Sequence, residues 1–476
     1  MRVKTLRILA TAALSTALAL GAVATRAESL SDAMVSAYRT SGLLTQQRAL
    51  LRVEDEDVAV AVAGLRPVIN YALNTAVNSN QRTSWPASFT DGVTETISAT
   101  AQLSMDVTVY NFGVNTLRVD LARENVLMTR DALVGVEQLV LLRAVQAFLD
   151  VRSAHETAML QANNVRLITE ELRAARDRFE VGEITQTDVS YAEAQLAAGK
   201  SNEAAARGQL MIAREEYKAA TGHYPSGLQV PPAAPISVRT LSEAKALARS
   251  RHPDVLAQQR AVKVADLSVE IAHRSMLPNL TAGGRASRTL SRTHVSSSDS
   301  TSVGVDLTLS GPIYQGGQLS ALYRQAKARA EANRAALHIT VQNVEQTVAN
   351  AWAQIAVAQA SLQATDQQIR ASRVALRGAR EEATLGARTT LEVLSFEQDL
   401  LDAQAARISA QSNQYLAVYN LIAAMGLLTA DRLRLGIATY DPEAYFNAVK
   451  RAPIYDISPQ GAKLDAIIET LGRSLD

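Results

Sequence analysis

The chain has no cysteine among its 476 residues, and only 4% of them are aromatic. Without a thiol there is no disulfide, no thiolate metal site and no lipid on a mature N-terminal cysteine. Stability must then come from size, packing or association. Charge of one sign is not in excess either, with 48 Lys and Arg against 47 Asp and Glu. That balance excludes the concentrated basic face of a nucleic-acid binder. Beyond the N-terminal segment the sequence offers no apolar run of membrane-spanning length, so a chain that crosses a membrane would do so as a closed β-barrel.

Catalytic constellations are lacking too. His155, His223, His252, His273, His294 and His338 are scattered and form no metal-binding pair at i, i+4. His155-Glu156 lacks the second histidine of a zinc-protease helix. Gly311 and Gly316 have the P-loop spacing, but Gly317-Gln318 stands where Lys-Ser/Thr is required. No enzyme activity, cofactor or metal is expected.

What is present begins with an export signal. Arg2, Lys4 and Arg7 precede an apolar stretch from Ile8 to Val23, and small residues then offer cleavage after Ala24 or Ala27. Residues 1–27 read as a signal peptide. Their removal takes four basic and no acidic residues, leaving 44 Lys and Arg against 47 Asp and Glu, a net charge of −3.

The mature chain is a tandem duplication. Leu30-Ser31-Asp32-Ala33 returns as Leu241-Ser242-Glu243-Ala244, and Leu65-Arg66-Pro67 as Met276-Leu277-Pro278. Further on, Val109-Tyr110 matches Ile313-Tyr314, Gly182 matches Gly386, and Asp188-Val189 matches Glu392-Val393. The offset shortens from 211 to 204 residues between Pro67 and Val109, where the polar stretch Asn78–Val93 reads as a lengthened loop. The copies span residues 28–222 and 241–430. A linker with four prolines, residues 223–240, joins them, and the tail 431–476 has no counterpart in the first copy.

Each copy reads as a helix, two strands, a very long helix and another long helix. From Ile97 to Val109 every second residue is apolar, and Val303, Val305, Leu307 and Leu309 repeat the pattern. Period two with one polar face suits a sheet between two different solvents. Four strands cannot enclose an open interior, whereas three chains would supply twelve.

In the long helices the apolar residues step by four and three, from Val140 to Phe179 and again 204 residues later, with Gln161, Thr365 and Ser372 as polar exceptions. This spacing implies left-handed supercoiling of packed helices. A helix between Gly113 and Gly182 would run about 100 Å.

This layout resembles the TolC-like outer-membrane factors over nearly the whole mature chain. The resemblance also rests on Ser310-Gly311-Pro312-Ile313-Tyr314-Gln315-Gly316-Gly317 and on two hairpin tips, Phe179–Val189 and Ala383–Leu394, the second containing Leu385-Gly386-Ala387-Arg388-Thr389. It implies a mainly α fold with a small β part: a homotrimer with a twelve-stranded barrel in outer-membrane lipid and an α-helical periplasmic tunnel. The function implied is an exit duct for efflux or type I secretion. Its partners would be a periplasmic adaptor and, through it, an inner-membrane transporter.

By the same resemblance, Gly182, Gly386, Ala387 and Arg388 are adaptor-docking positions. Glu392 matches an acidic position that rings the constriction, where three crowded carboxylates would raise one another's pKa. Arg388 matches a latch arginine, with Thr187 and Asp188 as its partners. Ser395 and Ala383 depart from the family pattern at a second acidic position and at a latch tyrosine. The competing reading is a periplasmic coiled-coil adaptor or scaffold, which would carry one hairpin and no paired amphipathic strands.

Overall fold

The computed structural model describes residues 27–83, 85–86, 92–232 and 238–453. The signal segment, except for Ala27, and the end of the tail lie outside them. In chain order the elements are α1 (Leu30–Thr40), α2 (Gly42–Ala63), β1 (Val68–Arg82), β2 (Gly92–Tyr110), α3 (Val114–Glu180) and α4 (Gln186–Thr221). Then come α5 (Leu241–Arg251), α6 (Pro253–Arg274), β3 (Asn279–Thr293), β4 (Ser297–Ser310), α7 (Gln318–Thr384), α8 (Thr390–Ala424) and the short α9 (Pro442–Val449).

Two expectations are corrected. The single helix expected before each strand pair is two helices, broken at Ser41 and at His252, both with extended backbone. Pro253 forces the second break, because a residue before proline is disfavoured in the helical region. At the first, the Ser41 hydroxyl accepts from the Leu44 amide at 3.3 Å and so starts α2. The polar stretch Asn78–Val93 is also not all loop: β1 continues to Arg82 and β2 begins at Gly92, so solvent-suited side chains still continue the ladder.

The chain packs as two compact units, each drawing on both copies of the repeat. Among the described residues, one comprises those up to Thr45, Val134–His252 and Val344–Thr439; the other comprises those in Gln46–Leu133, Pro253–Asn343 and from Tyr440 on.

The second unit holds one antiparallel sheet in the order β1-β2-β3-β4. Its register matches apolar to apolar. Ile69 faces Met105, Tyr71 faces Leu103 and Val77 faces Ile97, while Leu280 faces Leu309 and Ala286 faces Val303. Asn, Ser, Thr, Gln and Asp side chains fill the other face. A slip of one residue would exchange the faces, so burial in the proper solvent pins this register. The apolar stretches Ile69–Val77 and Ile97–Met105 match the roughly 9–11 residues that a tilted strand needs to cross a bilayer. Tyr71 is 82% exposed and Val305 87%. Toward the hairpin ends this face turns ionic, with Arg288 and Asp299 paired at 2.6 Å.

The first unit is helical. The apolar stripe is its core: Val140, Ala144, Ala147, Val151, Leu172 and Ala175 are buried, and so are Val344, Val348, Ala358, Leu376 and Ala379. Thr365 is buried with them because its hydroxyl donates to the carbonyls of Ser361 (3.0 Å) and Leu362 (2.9 Å). Contrary to the sequence expectation, α3 contains one 18-residue window apolar enough to cross a membrane. Half of that window is buried.

The described part of the proline-rich linker is tied to the chain start. The Glu28 amide donates to Gly227 (2.8 Å) and the Gln229 amide to Glu28 (2.9 Å). The Tyr217 hydroxyl donates to the Glu28 carboxylate at 2.5 Å, and His223 lies 3.0 Å from the same oxygen.

Candidate gate and docking tips

Both candidate tips belong to the first unit, where α3 reverses into α4 and α7 into α8. The reversals are built alike. Gly182 and Gly386 have φ of 79° and 76°, a left-handed conformation that a Cβ disfavours. The amide of Gly182 donates to Phe179 (3.0 Å) and that of Glu183 to Arg178 (2.9 Å). At the other tip Gly386 donates to Ala383 (3.1 Å) and Ala387 to Glu382 (2.9 Å). These paired bonds are Schellman motifs that satisfy the last carbonyls of each long helix. Gly182, Gly386 and Ala387 are exposed. Beside each glycine stands a bare apolar side chain, Val181 at 71% exposure and Leu385 at 83%. The sequence reading included both residues in the tip motifs without marking them as contact candidates.

Each returning helix starts with a capping box that the sequence reading missed. Thr185 and Asp188 bond reciprocally at the start of α4, as do Thr389 and Glu392 at the start of α8. The signal was legible as Thr-x-x-Asp and Thr-x-x-Glu. It gives both candidate gate acids a local structural role. The Glu392 carboxylate accepts from the Thr389 amide at 2.9 Å and from its hydroxyl at 3.2 Å. Those bonds, backbone first, hold its pKa below the usual glutamate value, with the Arg388 charge helping. The mutual elevation expected for three crowded carboxylates would oppose this local effect.

Arg388 is half-buried. It bonds to Glu382, lies 3.6 Å from Glu392 and stacks 5.4 Å from the centre of the Phe396 ring. Asp188 serves the Thr185 cap, and Thr187 and Ser395 are exposed. Within one chain, then, Arg388 engages its own hairpin rather than Thr187 or Asp188.

One ion pair below each tip escaped the sequence reading. Arg176 bonds to Glu193 at 2.7 Å, both side chains about half exposed. The equivalent Arg380 bonds to Glu397, whose side chain is only 8% exposed, and also lies 3.8 Å from Glu171 of α3. Burial pushes the Glu397 carboxyl up, the Arg380 bond pulls it down, and Glu171 adds to the rise. Nearby, Leu394 of α8 packs in a cluster with Leu172, Val189 and Ala192, joining the two hairpins. Among the described residues no group of three or more His, Asp or Glu could hold a metal ion.

Comparison with known proteins gives a consistent result. The profile of the outer membrane efflux protein family matches residues 9–223 and 245–427. The chain is 33% identical over 445 residues to the outer membrane efflux protein BepC of Brucella suis, covering 93% of this chain and 95% of that protein. It is 25% identical over 315 residues to the alkaline protease secretion protein AprF of Pseudomonas aeruginosa, 64% of each. Its fold matches the Campylobacter jejuni CmeC outer membrane channel with a TM-score of 0.74 at 13% identity, over 90% of each chain.

Proposed function

Because this chain belongs to the outer membrane efflux protein family, we propose that it works as a homotrimer, its twelve strands closing a barrel in outer-membrane lipid and its helices walling a periplasmic tunnel. The chain is an outer-membrane exit channel of the kind that serves efflux and type I secretion. The family is one of transport proteins.

The sheet carries the trimer reading. Four strands with a lipid-suited face are too few to enclose a lumen, and β1 and β4 are each paired on one side only among the described residues. Three copies joined β4 to β1 would leave no open edge.

Gly182, Gly386, Ala387 and Arg388 form the docking tips for a periplasmic adaptor, with Val181 and Leu385 as their apolar contacts. Through that adaptor the duct meets an inner-membrane transporter. Glu392 lines the constriction. Arg388 latches it by exchanging its bond to Glu382 for Asp188, beside Thr187, on a first-copy tip. Support for the exchange comes from the exposure of Glu382 and the modest strength of a surface pair.

Single-channel conductance of the purified mature protein in planar bilayers, with its mass in detergent, tests this reading. A trimer with discrete conductance is expected. A salt-extractable, bilayer-silent monomer would overturn it in favour of the scaffold.

A further inference from the structure

The duplication supplies an internal control for one buried acid. Asp55 of α2 and Arg130 of α3 occupy the positions of Asp266 of α6 and Arg334 of α7 in the second copy. Arg334 and Asp266 pair at 2.7 Å, 57% and 45% exposed. Their first-copy equivalents do not pair. Asp55 is fully buried, and neither of its carboxylate oxygens has a hydrogen-bond partner; Arg130 Nε is likewise buried and unmatched.

Arg130 is engaged by the C-terminal segment instead. Its Nη2 donates to the Pro442 carbonyl at 3.2 Å, Nη1 lies 3.7 Å from Glu443, and the guanidinium sits 5.2 Å from the centre of the Phe446 ring. Tyr440 and Phe446 pack on Leu51, Val58, Ala122 and Val126. The Tyr445 hydroxyl donates to Glu56 at 2.7 Å, and Arg66, just before β1, holds the carbonyls of Arg451 and Ala452. At the equivalent positions of the second copy the Asp266–Arg334 pair is intact.

A buried ionised carboxylate without donors is costly, whereas its neutral form is much less so. We propose that the segment 440–446 and Asp55 compete for Arg130, which makes docking of this segment a proton-linked switch. In the docked state Asp55 carries a proton. In the released state Asp55 and Arg130 pair as Asp266 and Arg334 do.

Burial pushes the Asp55 carboxyl up to about 6, with Arg130 pulling it down and Glu56 and Glu54 adding to the rise. The other charged or titratable groups around it are Arg48 and Arg52 on α2 and Tyr440, Glu443 and Tyr445 on the C-terminal segment. The docked state binds the proton more tightly than a paired Asp55 would, so falling pH favours docking and rising pH favours release.

Hydrogen–deuterium exchange of residues 440–450 in the full chain in detergent micelles reads this directly, after division by the intrinsic exchange rate at each pH. Wild-type protection should fall above about pH 6, by up to about tenfold per pH unit, the limit for one linked proton. Asp55→Asn should hold the segment protected throughout, and Asp266→Asn should behave as wild type. Overturning results are a wild-type profile flat from about pH 5 to about pH 8, across the range where a raised carboxyl titrates, or an Asp55→Asn profile that follows the wild type. Protection of α3 checks that the variant has folded, and the wild-type profile decides the matter if it has not.

Discussion

The two hairpin tips share a sequence pattern and a backbone yet place one ion pair in different solvents. Arg176–Glu193 and Arg380–Glu397 lie at the same positions of their repeats, but Glu193 stays about half exposed while Glu397 is buried with one carboxylate oxygen unmatched. The first pair is a surface contact of small net value. In the second, the partner is what keeps a buried charge tolerable. The tips differ at their ends as well: Glu382 and Arg388 bond where the first copy has Arg178 and Ile184. The second hairpin thus buries an acid with its partner and adds an ion pair at its tip, while the first keeps its ion pair at the surface.

The largest effect expected from this comparison is on stability. Arg380→Met should lower the stability of the helical region by about 1–3 kcal/mol, because a buried charged acceptor loses its donor. Arg176→Met should cost at most about 1 kcal/mol. Thermal unfolding followed by circular dichroism measures both, and equal losses would break the distinction.

The next substitutions test where the tips are alike. Gly182→Ala and Gly386→Ala should each cost about 1–2 kcal/mol for forcing a Cβ into left-handed backbone. Thr185→Ala and Thr389→Ala should each cost about 1 kcal/mol of cap. A clear inequality within either pair, by the same melting measurement, would show that the tips are not equivalent frames.

The gate reading is sharpened by Glu392→Gln, which keeps a capping-box residue and removes only the charge. Reversal potentials in planar bilayers should show reduced cation preference, more so than for Asp188→Asn. Unchanged selectivity would remove Glu392 from the constriction.

The smallest effect is a pH slope. With its pKa raised by burial, Glu397 contributes stability that is fully present below the ordinary glutamate value and lost as pH rises through the raised one. Glu397→Gln should flatten that slope in melting temperature against pH, and an unchanged slope would remove Glu397 as its source.

Much of this is legible in the sequence. The duplication, the two strand pairs and the coiled-coil stripes follow from periodicity, and the turn glycines follow from their offset of 204 residues. The capping boxes are equally legible, as Thr-x-x-Asp at Thr185 and Thr-x-x-Glu at Thr389. The break at His252 is legible in Pro253, whereas the one at Ser41 rests on a local cap with no such marker. The C-terminal segment gave no signal at all, since Tyr440, Tyr445 and Phe446 acquire meaning only against Leu51, Val58 and Val126.

The sequence by itself determined the repeated local structure, because periodicity, caps and turn residues act over a few positions and are copied when a gene segment is copied. Tertiary structure alone decided which copy of a charge is buried. Asp55 and Asp266, like Glu193 and Glu397, are equivalent along the chain and differ only in their neighbours. Desolvation depends on what packs against a side chain, and residues from distant parts of the chain supply that packing.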